Sequence, residues 1–374
     1  MRIIVLNYEF PPLGGGASPV SYEISKGYVK LGHQVDVVTM AYGHLPTYER
    51  KDGLAIYRVW SGRLKMEISH PWEQLLYLMS GYLKARKLLK NKTYDFCHCH
   101  FLIPTGILAL RLHKKFGLRY VVTSHGSDVP GHNVDRFTLL HHFTGPILRK
   151  IVRHAEYITT PSVYLKTLIE KNILKGKTSA KIIPIHNGSA SLLKPNSKKE
   201  NIILSVGRML PMKGFQYLIT AFKKINNDNW KLIIVGDGSY KKNLETLAGN
   251  QPNIIFTGWL EKSQDQLAEL YNKAKIFAFF SEIESQGIVL VEAMSTGCAL
   301  LAANASVIRE TVSSDVGFVV DPKNSDEVEV KLSELMNNEP LQKTFAQKSM
   351  ERFNKLYRWP DIIKKYESLI KTNE

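Results

Sequence analysis

Two carboxylates, Glu284 and Glu292, stand with seven residues between them in the run Ser281-Glu-Ile-Glu-Ser-Gln-Gly-Ile-Val-Leu-Val-Glu-Ala-Met-Ser-Thr-Gly297. The stretch just before, Lys275-Ile-Phe-Ala-Phe-Phe280, is apolar and aromatic and reads as a buried strand. From Gly287 the spacing turns helical and stops at Gly297. Glu284 then falls on a strand-to-helix loop, and Glu292 about a turn and a half into the helix. In an open α/β sheet such loops lie at the carboxyl ends of the strands, where ligands bind. The first helical N–H groups, at Gly287, Ile288 and Val289, face the same way and favour an anion. An anion site flanked by two carboxylates that hold sugar hydroxyls is the chemistry of a nucleotide-sugar site. Taken alone, the same spacing also describes a surface loop with two solvated glutamates.

Other residues add to this chemistry. Arg208 and Lys213, in Val206-Gly-Arg-Met-Leu-Pro-Met-Lys-Gly214, place two cations at the mouth of one strand-to-helix loop. That suits a diphosphate, with arginine as a planar fork and lysine as a point charge. Gly14-Gly15-Gly16 follows the first strand pattern and allows close backbone approach to a phosphate or a sugar. His125 and Asp128, in Thr123-Ser-His-Gly-Ser-Asp128, follow a strand at the end where ligands bind. Cys97-His-Cys-His100 resembles a metal site only superficially, because alternate strand residues face opposite sides and no second pair of zinc spacing follows. No metal site is expected, and no Asp-x-Asp motif implies a metal for the diphosphate.

These residues need strands and helices to position them. Strand patterns occur at Arg2–Leu6, Gln34–Thr39, Tyr94–His98, Arg119–Ser124, Tyr157–Thr160 and Lys181–Ile185. They recur at Ile202–Val206, Lys231–Val235, Asn253–Thr257, Ile276–Phe280, Ala299–Ala302 and Gly317–Val320. Helical spacing lies between many of them. This is the α/β doubly wound pattern, present twice. The polar stretch Lys194-Pro-Asn-Ser-Lys-Lys-Glu200 reads as the linker. Ile362, Ile363, Tyr366, Leu369 and Ile370 give the end of the chain helical spacing.

The motifs, in this order along nearly the whole chain, resemble the retaining glycosyltransferases of family 4. The resemblance implies the GT-B fold, two Rossmann-like domains facing a central cleft. It implies a domain at 1–193 for the acceptor, one at 201–358 for the nucleotide sugar, and a helix at 359–374 that packs back on the first. It implies His125, Glu284, Arg208 and Lys213 at the reacting centre. Donor contacts fall to Gly15, Gly16, Arg208, Lys213, Gly238, Leu260, Glu284, Gly287, Ile288, Val289 and Glu292, with Asp128 toward the acceptor. Trp259 or Leu260 would meet the base. The donor is a UDP- or GDP-linked sugar, no cofactor is required, and the acceptor is lipid-linked or saccharide, as in envelope glycan or glycolipid synthesis. Two alternatives share the fold: a sugar-nucleotide 2-epimerase and a catalytically silent partner subunit. The family's Glu-Gly-Phe-Gly is Glu284-Ser-Gln-Gly287 here, and its Gly-Gly-Ile-Pro-Glu is Ser306-Val-Ile-Arg-Glu310.

The 374 residues suffice for two domains, and no apolar run approaches the ~20 residues of a membrane span. Cys97, Cys99 and Cys298 give no disulfide framework, so a cytoplasmic setting is expected. The net charge of +16 is uneven. Residues 1–195 carry 27 Lys and Arg against 12 Asp and Glu, and residues 196–374 carry 23 against 22. The first half therefore expects an anionic partner, and without a nucleic-acid motif that partner is an anionic membrane surface or a phosphate-bearing acceptor. Trp72–Lys92 and Arg136–Arg153 both mix aromatic, aliphatic and basic residues as interfacial helices do. The expected location is the cytoplasmic face of a membrane.

Overall fold

The computed structural model describes residues 1–132, 138–260 and 265–371, with side chains described outside 138–143. The chain divides into two compact units, Met1–His186 with Trp359–Glu374, and Asn187–Arg358. Each is a Rossmann-like α/β domain.

The first unit runs β1 (Arg2–Leu6), α1 (Ala17–Lys30), β2 (Gln34–Met40), β3 (Tyr48–Lys51), β4 (Leu54–Val59), α2 (Pro71–Asn91), β5 (Phe96–His100), α3 (Thr105–Phe116), β6 (Tyr120–Thr123), α4 (Thr138–His154), β7 (Tyr157–Thr160), α5 (Val163–Asn172) and β8 (Ile182–Pro184). The sheet order is β3-β4-β2-β1-β5-β6-β7-β8. Every pairing is parallel except β3 with β4. Ile3, Ile4, Val5 and Leu6 are buried on both faces, which is why β1 reads as a continuous apolar run. The order reverses between β1 and β5, so the loops after these strands open at a switch point. The β3–β4 hairpin, absent from the strand patterns above, turns at Asp52 and Gly53, both with positive φ.

The second unit runs β9 (Glu200–Val206), a single 3-10 turn (Pro211–Lys213), α6 (Phe215–Ile225), β10 (Lys231–Val235), α7 (Lys241–Ala248), β11 (Ile254–Gly258), α8 (Asp265–Lys273), β12 (Ala274–Phe279), α9 (Ile288–Ser295), β13 (Ala299–Ala303), α10 (Ile308–Thr311), β14 (Gly317–Val320), α11 (Ser325–Asn337) and α12 (Glu339–Leu356). Its sheet is parallel in the order β11-β10-β9-β12-β13-β14, with the reversal at β9 and β12. The polar stretch 194–200, read as a linker, lies inside this unit. Lys194 N–H donates to Asn272 Oδ1 at 2.8 Å, Leu192 N–H donates to Ser295 Oγ at 3.1 Å, and Glu200 already begins β9. The division falls earlier, between His186 and Asn187.

The last helix, α13 (Trp359–Lys371), belongs to the first unit and packs on α1. Gly27 of α1 makes the approach possible, since a Cβ there would meet Ile363 side-chain atoms at 2.5 Å. Overpacking of this kind costs about 1–3 kcal/mol. Gly27→Val is expected to lower the thermal midpoint by several degrees, and an unchanged melt would contradict this packing.

Candidate functional site

In the second unit the chemistry gathers on loops that leave adjacent strands. β9 ends into Gly207 and exposed Arg208, then into the 3-10 turn that closes on Lys213. The chain must bend at Gly214, with φ of 71°, because a Cβ there would sit 2.3 Å from the Phe280 carbonyl oxygen. That close approach lays the β9 loop against the β12 loop. Glu282 N–H donates to the Met212 carbonyl at 3.0 Å, and Lys213 Nζ pairs with Glu284 Oε1. Both side chains of the pair are largely buried, 21 and 18% exposed. Arg208 makes no ion pair among the described residues. The β12 loop then reaches Gly287, which caps α9 in the left-handed region, and the N–H groups of Ile288 and Val289 open the helix. Two cations, one paired carboxylate and a helix N-terminus are an arrangement that can hold a polyanion with an attached polyol.

The pair of solvated glutamates is excluded. Glu292 is only 4% exposed, and Tyr271 of α8 donates to its Oε2 at 2.9 Å. Gln286, at the family's phenylalanine position, is buried and forms a two-way amide clamp. It accepts from Asn187 N–H at 2.6 Å and donates to the Asn187 carbonyl at 3.0 Å. Its own carbonyl accepts from Thr311 Oγ1 at 3.0 Å. Gly238 lies against the Met209 carbonyl at the end of β10, and Leu260 is half-buried beside exposed Trp259.

In the first unit Gly15 and Gly16 have open space where a Cβ would stand. Glu9 changes the reading of this loop. Its Oε2 lies 3.5 Å from the Gly15 N–H, so a carboxylate already stands at the opening of α1. That charge favours a sugar hydroxyl over a phosphate there.

His125 sits on the loop after β6. Asp128, the candidate toward the acceptor, is held inside the fold. It is buried, and its carboxylate accepts from Leu102 N–H at 2.6 Å, Ser124 Oγ at 3.0 Å, and the N–H groups of His125 and Gly126 at 3.1 Å each. It is the brace of the loop that carries His125. Burial raises its carboxyl above the usual range, and these donors pull it back. The Cys97–His100 run splits as the pleat demands, and buried His98 and His100 share a face. Their rings stack at 4.5 Å, and His125 continues the stack at 5.3 Å from His100. Burial holds His98 and His125 down to about 3, and His100 well below the ordinary value. All three are neutral imidazoles. Among the described residues no group of three or more His, Cys, Asp or Glu could hold a metal ion.

One surface of the first unit is unusually apolar. Trp60, at 69% exposed, leads Leu64, Met66, Ile68, Trp72, Leu75, Met79 and Leu83. Trp72, Leu75, Met79 and Leu83 line one face of α2, and exposed Lys87 and Lys90 continue that line. The loop before α2 is braced from within. Buried Arg63 donates to the Tyr8, Lys65 and Met66 carbonyls, and buried Glu73 accepts from Leu64 and His70 N–H. Lys84 lies over the Tyr57 ring at 4.3 Å, and the Nε of Arg86 is buried, so neither belongs to the free basic face. Of the second interfacial stretch, the side chains of 136–143 lie outside the described residues.

Sequence reasoning missed Glu9, Arg63, Glu73, His98, His100, Tyr271 and Gln286. Only His98 and His100 carried a signal, two polar side chains inside an otherwise apolar strand.

A family model described as Glycosyltransferase Family 4 matches residues 14–189, and one described as Glycosyl transferases group 1 matches residues 193–352. The chain is 27% identical to an uncharacterized glycosyltransferase of Methanocaldococcus jannaschii, over 99% of this chain and 98% of the relative. Sucrose-phosphate synthase from Thermosynechococcus elongatus superposes with a TM-score of 0.83 at 17% identity, covering 100% of this chain and 98% of that one. HepE from Anabaena, solved in complex with UDP-glucose, superposes at 0.75 with 19% identity and full coverage of both chains. At such identities the superpositions show the fold, which is GT-B.

The neutral histidines make stability depend on pH. Unfolded, each titrates near 6.5. Below that value the unfolded chain binds more protons than the folded one, so stability falls as pH is lowered from about 6.5 toward 3. Each such histidine contributes about 1.4 kcal/mol per pH unit in that window. Asp128, raised by burial, works in the opposite sense over the carboxylate range. Thermal midpoints are expected to fall clearly between pH 7 and pH 5, and a flat profile would contradict buried neutral imidazoles.

Proposed function

The chain belongs to the family 4 glycosyltransferases, and on that premise we propose that it moves a sugar from a nucleoside diphosphate to a hydroxyl of a lipid-linked acceptor, with retention at the anomeric carbon. The observation that carries this reading is the Lys213–Glu284 pair on the loop next to the N-terminus of α9, with Arg208 exposed on the same β9 loop.

Negative charge builds on the diphosphate as the glycosidic bond breaks. Arg208, Lys213 and the N–H groups of Gly287, Ile288 and Val289 stabilise it without reorganising. Glu284 holds Lys213 in place before the donor arrives and takes the sugar hydroxyls once the ammonium turns to phosphate. Tyr271 holds the Glu292 carboxylate in place by donating to its Oε2. Glu292 takes the ribose hydroxyls. Gly238, Leu260 and Trp259 wall the base, uracil or guanine; the UDP-glucose bound to HepE supports a nucleotide-sugar donor. His125, on the loop after β6, is the first unit's candidate for a sugar hydroxyl. The cations carry the charge that a metal would otherwise carry.

The acceptor's class follows from the apolar surface. A braced loop and a helix face that expose eight large apolar side chains, running into Lys87 and Lys90, match an anionic bilayer interface. The enzyme works there as a peripheral protein on the cytoplasmic side. Among the described residues no helix is long and apolar enough to cross a membrane.

Lys213→Ala is expected to lower kcat by about 10²- to 10³-fold, as loss of one stabilising donor does elsewhere. Glu284→Gln, which strands the ammonium, is expected to lower turnover more than donor affinity. Steady-state kinetics with varied donor decide both, and full activity in Lys213→Ala would remove the diphosphate from this loop. In liposome flotation the protein is expected to bind anionic vesicles and to leave them as salt rises. Replacing Trp72, Leu75, Met79 and Leu83 with serine should abolish flotation, and Lys87→Glu with Lys90→Glu should weaken it. Indifference of the unaltered protein to anionic vesicles at low salt would return the acceptor to a soluble saccharide.

A further inference from the structure

His125 does not choose its own protonation. Its Nε2 lies 3.1 Å from Nδ1 of His100, so one of these nitrogens carries a hydrogen and the other accepts it. His100 is wholly buried, and its remaining nitrogen, Nε2, has no hydrogen-bond partner. The next ring in the stack cannot help, because both nitrogens of His98 are engaged. Nδ1 faces the Tyr28 hydroxyl at 2.9 Å, and Nε2 faces Thr123 Oγ1 at 2.7 Å. Thr123 is in turn tied to Thr159 at 2.7 Å, and Thr159 to Tyr366 of α13 at 3.5 Å.

Two neutral arrangements remain. If His125 donates from Nε2, the hydrogen of His100 must sit on its own Nε2, a buried N–H with no acceptor. If His100 donates from Nδ1, its Nε2 is left as a bare lone pair. Orphaned buried N–H groups are rarer in proteins than under-satisfied acceptors, so the second arrangement is favoured. It forces His125 to keep its single hydrogen on Nδ1. That nitrogen makes no hydrogen bond among the described residues, and the His125 side chain is only half-buried.

We propose that His100 is a positioning residue that locks His125 as the Nδ1–H tautomer, so that His125 presents a hydrogen-bond donor to the sugar and cannot serve as the base for the acceptor hydroxyl. The role toward the sugar rests on the function proposed above; the lock itself does not.

Long-range proton–nitrogen correlation spectra of the 15N-histidine-labelled protein at neutral pH read the tautomers directly. His100 and His125 are both expected to be protonated at Nδ1 and bare at Nε2, and a hydrogen on Nε2 of either ring overturns the lock. His100→Asp, which can only accept, should turn His125 to the Nε2–H form and slow transfer about tenfold, the loss of one hydrogen bond. His100→Asn, whose amide can still donate, should keep the Nδ1–H form and most of the activity. A folded His100→Asp protein with His125 unchanged also overturns the lock, and if that variant does not fold, the spectra of the unaltered and His100→Asn proteins decide. Transfer by His125→Ala reports separately on the proposed function, because unimpaired transfer would remove His125 from the reaction whatever its tautomer.

Discussion

The ion pair between Lys213 and Glu284 ties two loops that the chain makes 71 positions apart. It holds because β9 and β12 are neighbours and because Gly214 lets the β9 loop lie on the Phe280 carbonyl. A largely buried pair of this kind contributes little net stability, since desolvation offsets much of the attraction. Its value lies in placement. The ammonium is fixed in place by the neighbouring loop, and in the proposed function the carboxylate is released for hydroxyls when a stronger anion takes the ammonium.

Carboxylates do similar work elsewhere. Asp128 gathers four donors to shape the His125 loop, Glu73 ties Leu64 to the start of α2, and Glu9 stands at the opening of α1. From sequence these groups are easily read as ligands or as solvated charges. Their partners are mostly backbone N–H groups, which carry no residue-type signal, and this is why the bracing role of Asp128 was not read and Glu9 was passed over.

Much of the fold was legible. Arg2–Leu6, Tyr157–Thr160, Lys231–Val235 and Gly317–Val320 are strands with the bounds that their apolar runs suggest. β3 was not legible, because Tyr48-Glu-Arg-Lys51 is an exposed edge strand with no buried face to impose alternation, although Asp52-Gly53 announced its turn. β5 was read two residues early, since two buried histidines look polar until Tyr28 and Thr123 arrive from distant parts of the chain. The face of α2 was ambiguous for the converse reason. Tyr77, Ala85 and Leu88 are buried while Trp72, Leu75, Met79 and Leu83 are not, so the helix has two apolar faces and periodicity does not say which one meets the core.

The central claim is group transfer from a nucleotide sugar, and product analysis tests it most directly. The protein is incubated with UDP- and GDP-linked sugars, each with and without a lipid-linked glycan acceptor, and phosphorus and proton NMR follow the donor and the new anomeric centre. The account predicts that one donor releases its nucleoside diphosphate only when acceptor is present, with the anomeric configuration of the donor kept in the product. Conversion of the donor to an epimeric sugar without any acceptor would contradict it.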